Sequence, residues 1–116
     1  ALARTGALRL AAVVDPNPAA RARYQEVAPT FASVDALLAA RLPLAAALVL
    51  WPPDTHEALS TVLLQNGLHV LCEKPLAPGI AAAERMLAAA KHAGRRLMMG
   101  SKFRYTPDVA RAKELR

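Results

Sequence analysis

Apolar and polar residues alternate along this chain in blocks rather than one by one. Leu8 to Val14 is a near-continuous apolar run, broken by Arg9 and ended by Asp15, and predicts a strand. Asn17 can cap a helix whose first position is Pro18, where a missing N–H costs nothing, and which reaches about Val27. Thr30 to Ala32 predicts a short strand, and Ser33 caps a helix carrying Leu37, Leu38 and Leu42. Ala46 to Trp51 lacks polar alternation, which predicts a strand buried on both faces and stopped by Pro52 and Pro53. Asp54 is expected to cap the next helix, with Glu57 three residues on as in a capping box. Leu59, Val62 and Leu63 form its inward stripe, and Asn66-Gly67 closes it. His69 to Cys72 predicts a strand that ends at Glu73-Lys74-Pro75. Ile80, Ala83, Leu87 and Ala90 stripe a helix that stops at Gly94; Leu97 to Met99 predicts a last strand, and Thr106-Pro107-Asp108 opens a final helix. Ala1 to Thr5 reads as the tail of a helix, with Gly6 as its stop.

Strand and helix thus alternate with short connections, and the one Asn-Gly pair follows a helix rather than joining two strands. The pattern predicts an α/β fold with a parallel, doubly wound sheet and no internal domain boundary. In such sheets ligands sit beyond the C-terminal ends of the strands. The residues there are Asp15, Trp51 to Asp54, Glu73 to Pro75, and Gly100 to Tyr105.

Composition narrows the class. The chain has 116 residues, one domain at most. Of its 54% hydrophobic residues, 27 positions are alanine, so much of the apolar count buries only a methyl group. The uncharged run Leu42–Pro53 is 12 residues long and holds three prolines, too short and too broken to cross a membrane. A single cysteine excludes an internal disulfide framework and fits a cytoplasmic location. The net charge of +6 lies in the C-terminal quarter: Lys91 to Arg116 carries eight Lys/Arg against two Asp/Glu, and the rest balances. That segment reads as a nucleic-acid or phosphate surface, or as a solvated basic helix end. The two aromatic residues there, Phe103 and Tyr105, do not make a stacking set interleaved with the basic residues, so the second reading is preferred, and neither nucleic acid nor membrane is expected as a partner.

Each strand end carries distinct chemistry. Asp15 could accept hydrogen bonds from both hydroxyls of an adenosine ribose, which favours NAD over NADP; alternatively it is a turn aspartate before Pro16. Lys74, between Glu73 as a counter-charge and the rigid Pro75, is placed to donate to a substrate hydroxyl and manage its proton; the alternative is a surface turn lysine. His56 opens a helix beside Pro53, where it either touches a nicotinamide or its ribose or is a partly exposed helix residue. Trp51 walls a crevice or covers the sheet end, and Cys72 is a core residue. His69 and His92 show no metal-ligand spacing, so no metal is expected. Neither a G-x-S-x-G elbow nor a P-loop is present.

Three stretches carry a resemblance. They are Trp51-Pro52-Pro53-Asp54-Thr55-His56, then Asn66-Gly67-Leu68-His69-Val70-Leu71-Cys72-Glu73-Lys74-Pro75-Leu76-Ala77, and Gly100-Ser101-Lys102-Phe103-Arg104-Tyr105-Thr106-Pro107. Together they resemble the Gfo/Idh/MocA oxidoreductases, with their Pro-rich turn, Glu-Lys-Pro motif and terminal Arg-aromatic-x-Pro stretch. The resemblance implies a Rossmann-like NAD- or NADP-binding domain of an enzyme that oxidises or reduces sugars, inositols or related alcohols. It implies that Lys74 contacts substrate and nicotinamide and acts in catalysis. Glu73 would lie beside the nicotinamide ribose, Trp51, Pro52 and Pro53 would line the cofactor, and Arg104 would sit at the mouth of the site. It also implies a cis Lys74-Pro75 bond.

The family's Gly-rich phosphate loop should lie about 20 residues before the acidic ribose ligand, and only 14 residues precede Asp15. Residues 1–116 are therefore expected to form a partial dinucleotide-binding domain without its first strand and Gly-rich loop. A substrate domain, which would carry any homo-oligomer interface, is expected beyond Arg116. The missing strand is central in the usual order, so two strand edges are expected to stand open and the isolated chain to be marginally stable, inactive and a weak binder of NAD. A non-catalytic remnant or interaction module of the same fold is the alternative.

Overall fold

The computed structural model describes residues 6–114. The expected helix tail at Ala1 to Thr5 lies outside them. The chain divides into two compact units, Ala1–Leu44 and Ala45–Arg116.

In the first unit, β1 (Val13–Val14) pairs in parallel with β2 (Thr30–Phe31), Val13 opposite Thr30. Between them runs α1 (Pro18–Ala22), capped by the Asn17 side chain, which accepts from the Ala19 N–H at 2.9 Å. Both elements are shorter than their apolar patterns predict. β1 has partners only as far as β2 extends, and Leu8 and Leu10 stay exposed. After Ala22 the chain goes over to tighter turns, with Tyr24 bonded to Arg21 and Val27 to Tyr24. Ser33 caps α2 (Val34–Ala39) as expected, accepting from the Ala36 N–H at 3.1 Å. That helix stops short of Leu42 because Arg41 takes a left-handed φ of 49°.

The second unit is a three-stranded parallel sheet in the order β3 (Ala46–Val49), β4 (His69–Glu73), β5 (Leu97–Gly100). Helices α3 (His56–Gln65) and α4 (Ile80–Ala93) make the two crossovers, and α5 (Pro107–Glu114) follows β5. α3 and α4 pack on each other; α3 lies on β3 and β4, and α4 on β5. The core is Val49, Leu63, Leu64, Leu68, Val70, Cys72, Met86 and Ala90. Gly94 closes α4 in the left-handed conformation, φ 61°, which glycine adopts without a Cβ penalty. This is the doubly wound, Rossmann-like parallel α/β fold expected from the block pattern.

Three expectations change. β3 is not buried on both faces: Val49 is covered, but Leu48 is 57% exposed, as is Met98 at 44%. These two flank Leu71 in register on β3, β4 and β5. Asp54 does not cap α3. A 3-10 turn at Pro53–Thr55 leads into the helix instead, and no side chain caps it. Glu57 is therefore not half of a capping box; it reaches α4 and takes a bidentate pair from Arg85, Nε to Oε1 at 2.5 Å and Nη2 to Oε2 at 3.0 Å. The two open strand edges do occur: among the described residues β1 pairs only with β2, and β3 only with β4.

Two measurements check this packing. Leu64 is fully buried, so Leu64→Ala should cost about 2–5 kcal/mol in urea unfolding, while Ile80→Ala, at an 80% exposed position, should stay within about 0.5 kcal/mol. The Arg85 guanidinium holds the Glu57 carboxyl below its ordinary value of 4.5. The folded chain thus releases this proton more readily than the unfolded chain, so the pair's stabilisation is full above pH 4.5 and drains as pH falls through the lowered value. Glu57→Gln should lower the urea midpoint at pH 7, and the gap to the parent should shrink below about pH 4; a gap unchanged at pH 3 would contradict the pairing.

Candidate functional site

Parallel pairing at fixed register builds the site in the second unit. Val49, Cys72 and Met99 stand abreast, and Glu73 pairs with Gly100, so all three strands release their chains at one end. Gly100 lies close against the neighbouring strand: a Cβ on it would meet the Cys72 carbonyl oxygen at 3.4 Å, in van der Waals contact.

Three turns leave from that end. After β3, Trp51 is half-buried and Pro52 and Pro53 are exposed. The Pro52 carbonyl accepts from the Thr55 N–H at 2.9 Å and from the Thr55 hydroxyl at 2.7 Å. After β4, Glu73, Lys74 and Pro75 are all exposed, and the Lys74-Pro75 bond is cis, as expected. After β5, a 3-10 turn at Lys102–Tyr105 carries Arg104, which is exposed and donates its backbone N–H to the Ser101 carbonyl at 3.1 Å.

The Glu73 carboxylate is not a counter-charge for Lys74. Oε2 accepts from the Lys74 backbone N–H at 2.6 Å, folding the side chain back onto the peptide that follows it. Among the described residues the Lys74 ammonium makes no ion pair. The Lys74 side chain stands exposed in the turn.

His56 joins two of the turns. It is buried, 1% exposed, rather than partly exposed. Nδ1 lies 2.9 Å from the Pro75 carbonyl oxygen and Nε2 2.7 Å from that of Trp51. Both nitrogens are therefore engaged by the backbone, with the ring beneath the turns. Four residues on along α3, Ser60 is fully buried, and its hydroxyl has no hydrogen-bond partner among the described residues. It still lies close enough to Cys72 to act on the thiol. Burial pushes the Cys72 thiol above its ordinary value, the Ser60 hydroxyl offsets this in part, and the Glu73 charge adds to the rise. A buried thiol held protonated is a core residue, not a nucleophile.

Asp15 belongs to the first unit, at the end of β1. Its N–H donates to the Phe31 carbonyl at 3.0 Å, and Oδ1 accepts from the Asn17 N–H at 2.8 Å. The Arg21 guanidinium is bound to the carbonyls of Asp15 at 2.7 Å and Pro16 at 3.0 Å, which braces this turn. His69 is committed to the backbone as well, since Nδ1 accepts from the Arg96 N–H at 3.0 Å. Among the described residues no three His, Cys, Asp or Glu side chains group as metal ligands, and no helix is long and apolar enough to cross a membrane.

The structure thus gathers Trp51, Pro52, Pro53, His56, Glu73 and Lys74 around two linked turns, and sets Arg104 in the turn after β5. Sequence reading missed that the Trp51 and Pro75 carbonyls are the groups His56 serves. The signal was present: Pro52, Pro53 and Pro75 carry no N–H, so these turns need a donor from elsewhere. Sequence reading marked Gly100 at the end of its strand, but not how closely that residue approaches the Cys72 carbonyl.

Comparison with known proteins agrees with this geometry. The model of the Gfo/Idh/MocA family, described as an oxidoreductase family with an NAD-binding Rossmann fold, matches residues 1–101. An inositol 2-dehydrogenase of Streptomyces avermitilis is 36% identical over 116 residues, covering 92% of this chain and 32% of the relative. The WlbA dehydrogenase of Bordetella pertussis, solved with NADH and UDP-GlcNAcA, superposes with a TM-score of 0.90 at 29% identity, over 98% of this chain and 35% of that one. A 3-ketoreductase of Actinomadura kijaniata, solved with NADP and TDP-benzene, gives 0.83 at 26% identity, over 94% of this chain and 34% of that one. The chain thus spans about a third of the length of each. With the family's fold, its Glu-Lys-Pro turn and its Pro-rich turn all in place, the chain belongs to the Gfo/Idh/MocA oxidoreductase family.

Proposed function

We propose that this chain is the dinucleotide-binding part of an NAD(P)-dependent oxidoreductase that acts on a sugar, an inositol or a related alcohol. The observation that carries the reading is Lys74: an exposed lysine with an uncommitted ammonium, in a turn tied through His56 to the turn after the neighbouring strand. Relatives of the same fold were solved with NADH or NADP, together with UDP-GlcNAcA or TDP-benzene.

The residues present fit part of a dinucleotide. Asp15 ends its strand with a carboxylate held by a single backbone N–H through Oδ1, as a ribose ligand should be. The five glycines, at positions 6, 67, 79, 94 and 100, do not form the G-x-G-x-x-G pattern that cradles a pyrophosphate. A bound nicotinamide would supply or accept the hydride. In the reducing direction Lys74 gives a proton from Nζ to the substrate oxygen as hydride reaches the carbon. In the oxidising direction the neutral Lys74 amine takes the hydroxyl proton as hydride leaves. Trp51, Pro52 and Pro53 would line the crevice that holds the coenzyme, Glu73 would lie beside the nicotinamide ribose, and Arg104 would stand at the mouth of the site. NAD is the preferred coenzyme: Asp15 would repel a ribose phosphate, and Arg21, spent on two carbonyls, is poorly placed to welcome one.

The test uses the protein encoded by the whole reading frame that holds these residues, assayed for NAD- and NADP-linked oxidation of inositols and nucleotide sugars. Lys74→Met should lower kcat by about 10²–10⁴-fold, the usual worth of a positioned acid–base group. A variant that retains parent kcat, or a parent that turns over none of these alcohols, overturns the reading. Asp15→Ser should raise the NADP-to-NAD ratio of kcat/KM by about tenfold, equivalent to the loss of one charge repulsion. An unchanged ratio would remove Asp15 from the ribose site.

A further inference from the structure

We propose that His56 is a positioning residue for Lys74, holding the turn after β4 against the turn after β3 from beneath. The proposal rests on the reading of Lys74 as the proton-handling group. It adds a residue that acts without touching substrate or coenzyme.

The argument starts from donors. A turn is normally fastened by its own N–H groups, but Pro52, Pro53 and Pro75 have none. The carbonyls of Trp51 and Pro75 therefore depend on a donor from outside their turns. His56 meets both, at 2.7 and 2.9 Å. It is the first residue of α3, where a polar side chain commonly serves its own helix end, yet its ring reaches across to two other segments. Burial at 1% exposure keeps water from replacing either contact. Carbonyl oxygens only accept, so a neutral ring serves one turn at a time and a doubly protonated ring serves both. Among the described residues the imidazole is the one side chain within hydrogen-bond distance of both turns, and in either state it holds at least one of them. Lys74 is next in sequence to Pro75, so the spot its ammonium reaches is set by where that carbonyl is held.

The test compares His56→Phe, His56→Gln and Ser60→Ala in the protein encoded by the full reading frame. Phenylalanine keeps a flat ring and removes both contacts. Glutamine restores an amide donor. Ser60→Ala changes the same buried face of α3 without removing a contact to either turn carbonyl. The expected result for His56→Phe is an unchanged circular dichroism spectrum, kcat lower by at least about tenfold, and little change in the KM for coenzyme. His56→Gln should recover part of the loss, and Ser60→Ala should match the parent. In NMR spectra of the same protein, the Lys74 and Trp51 amide signals should move together in His56→Phe. Parent kcat in His56→Phe, or an equal loss in Ser60→Ala, overturns the proposal. If His56→Phe does not fold, His56→Gln decides by the same split of kcat from KM. If the parent has no dehydrogenase activity, the functional reading fails separately: Lys74 and Trp51 signals that still move support the latch, and signals that stay put overturn it.

Discussion

The parallel ladder of β3, β4 and β5 is the constraint on which the site depends. Register sets Val49, Cys72 and Met99 side by side, and every later position inherits that alignment. Parallel strands must all exit at one end, so the chemistry-bearing turns gather there without any attraction between them. The ladder itself is held by Leu63, Leu64 and Met86 beneath it, on two helices that also share the Glu57–Arg85 pair. Packing thus places the turns, and hydrogen bonds from α3 refine them.

Local polar groups make that refinement. Proline gives these turns rigid shape but strips them of donors. The Thr55 hydroxyl and N–H fasten the Pro52 carbonyl, and the His56 ring lies within hydrogen-bond distance of the Trp51 and Pro75 carbonyls. Glu73 serves the peptide beside it, which leaves the lysine ammonium uncommitted. A residue type usually scanned for catalysis lies here against two backbone carbonyls, one of them that of Pro75, the residue after Lys74.

Much of this was legible in the residues. Block patterning identified the strands and α-helices among the described residues, because an apolar run between turn residues has few other solutions; it did not mark the two 3-10 turns. Gly94 and Asn66-Gly67 marked helix ends correctly, and Asn17 and Ser33 marked starts. Element lengths were not legible: β1 is limited by its partner's reach, and α2 ends on the φ of an arginine. The capping box at Asp54 and Glu57 failed because a tertiary partner, Arg85, outbid a local one. The ion pair expected between Glu73 and Lys74 failed for the opposite reason, a nearer backbone N–H. The location of His56 was readable, but its burial and its two partners depend on segments distant in sequence.

The open side of β3 carries a consequence for handling the protein. Ala46 to Val49 holds neither a charge nor a proline, and the exposed side chains of Leu48 and Leu50 lie along it. Such a border is a template for another chain to pair with, and the gatekeeping prolines, Pro43 before it and Pro52 and Pro53 after it, lie outside the strand itself. Pairing between copies along this border would rise with the protein's concentration.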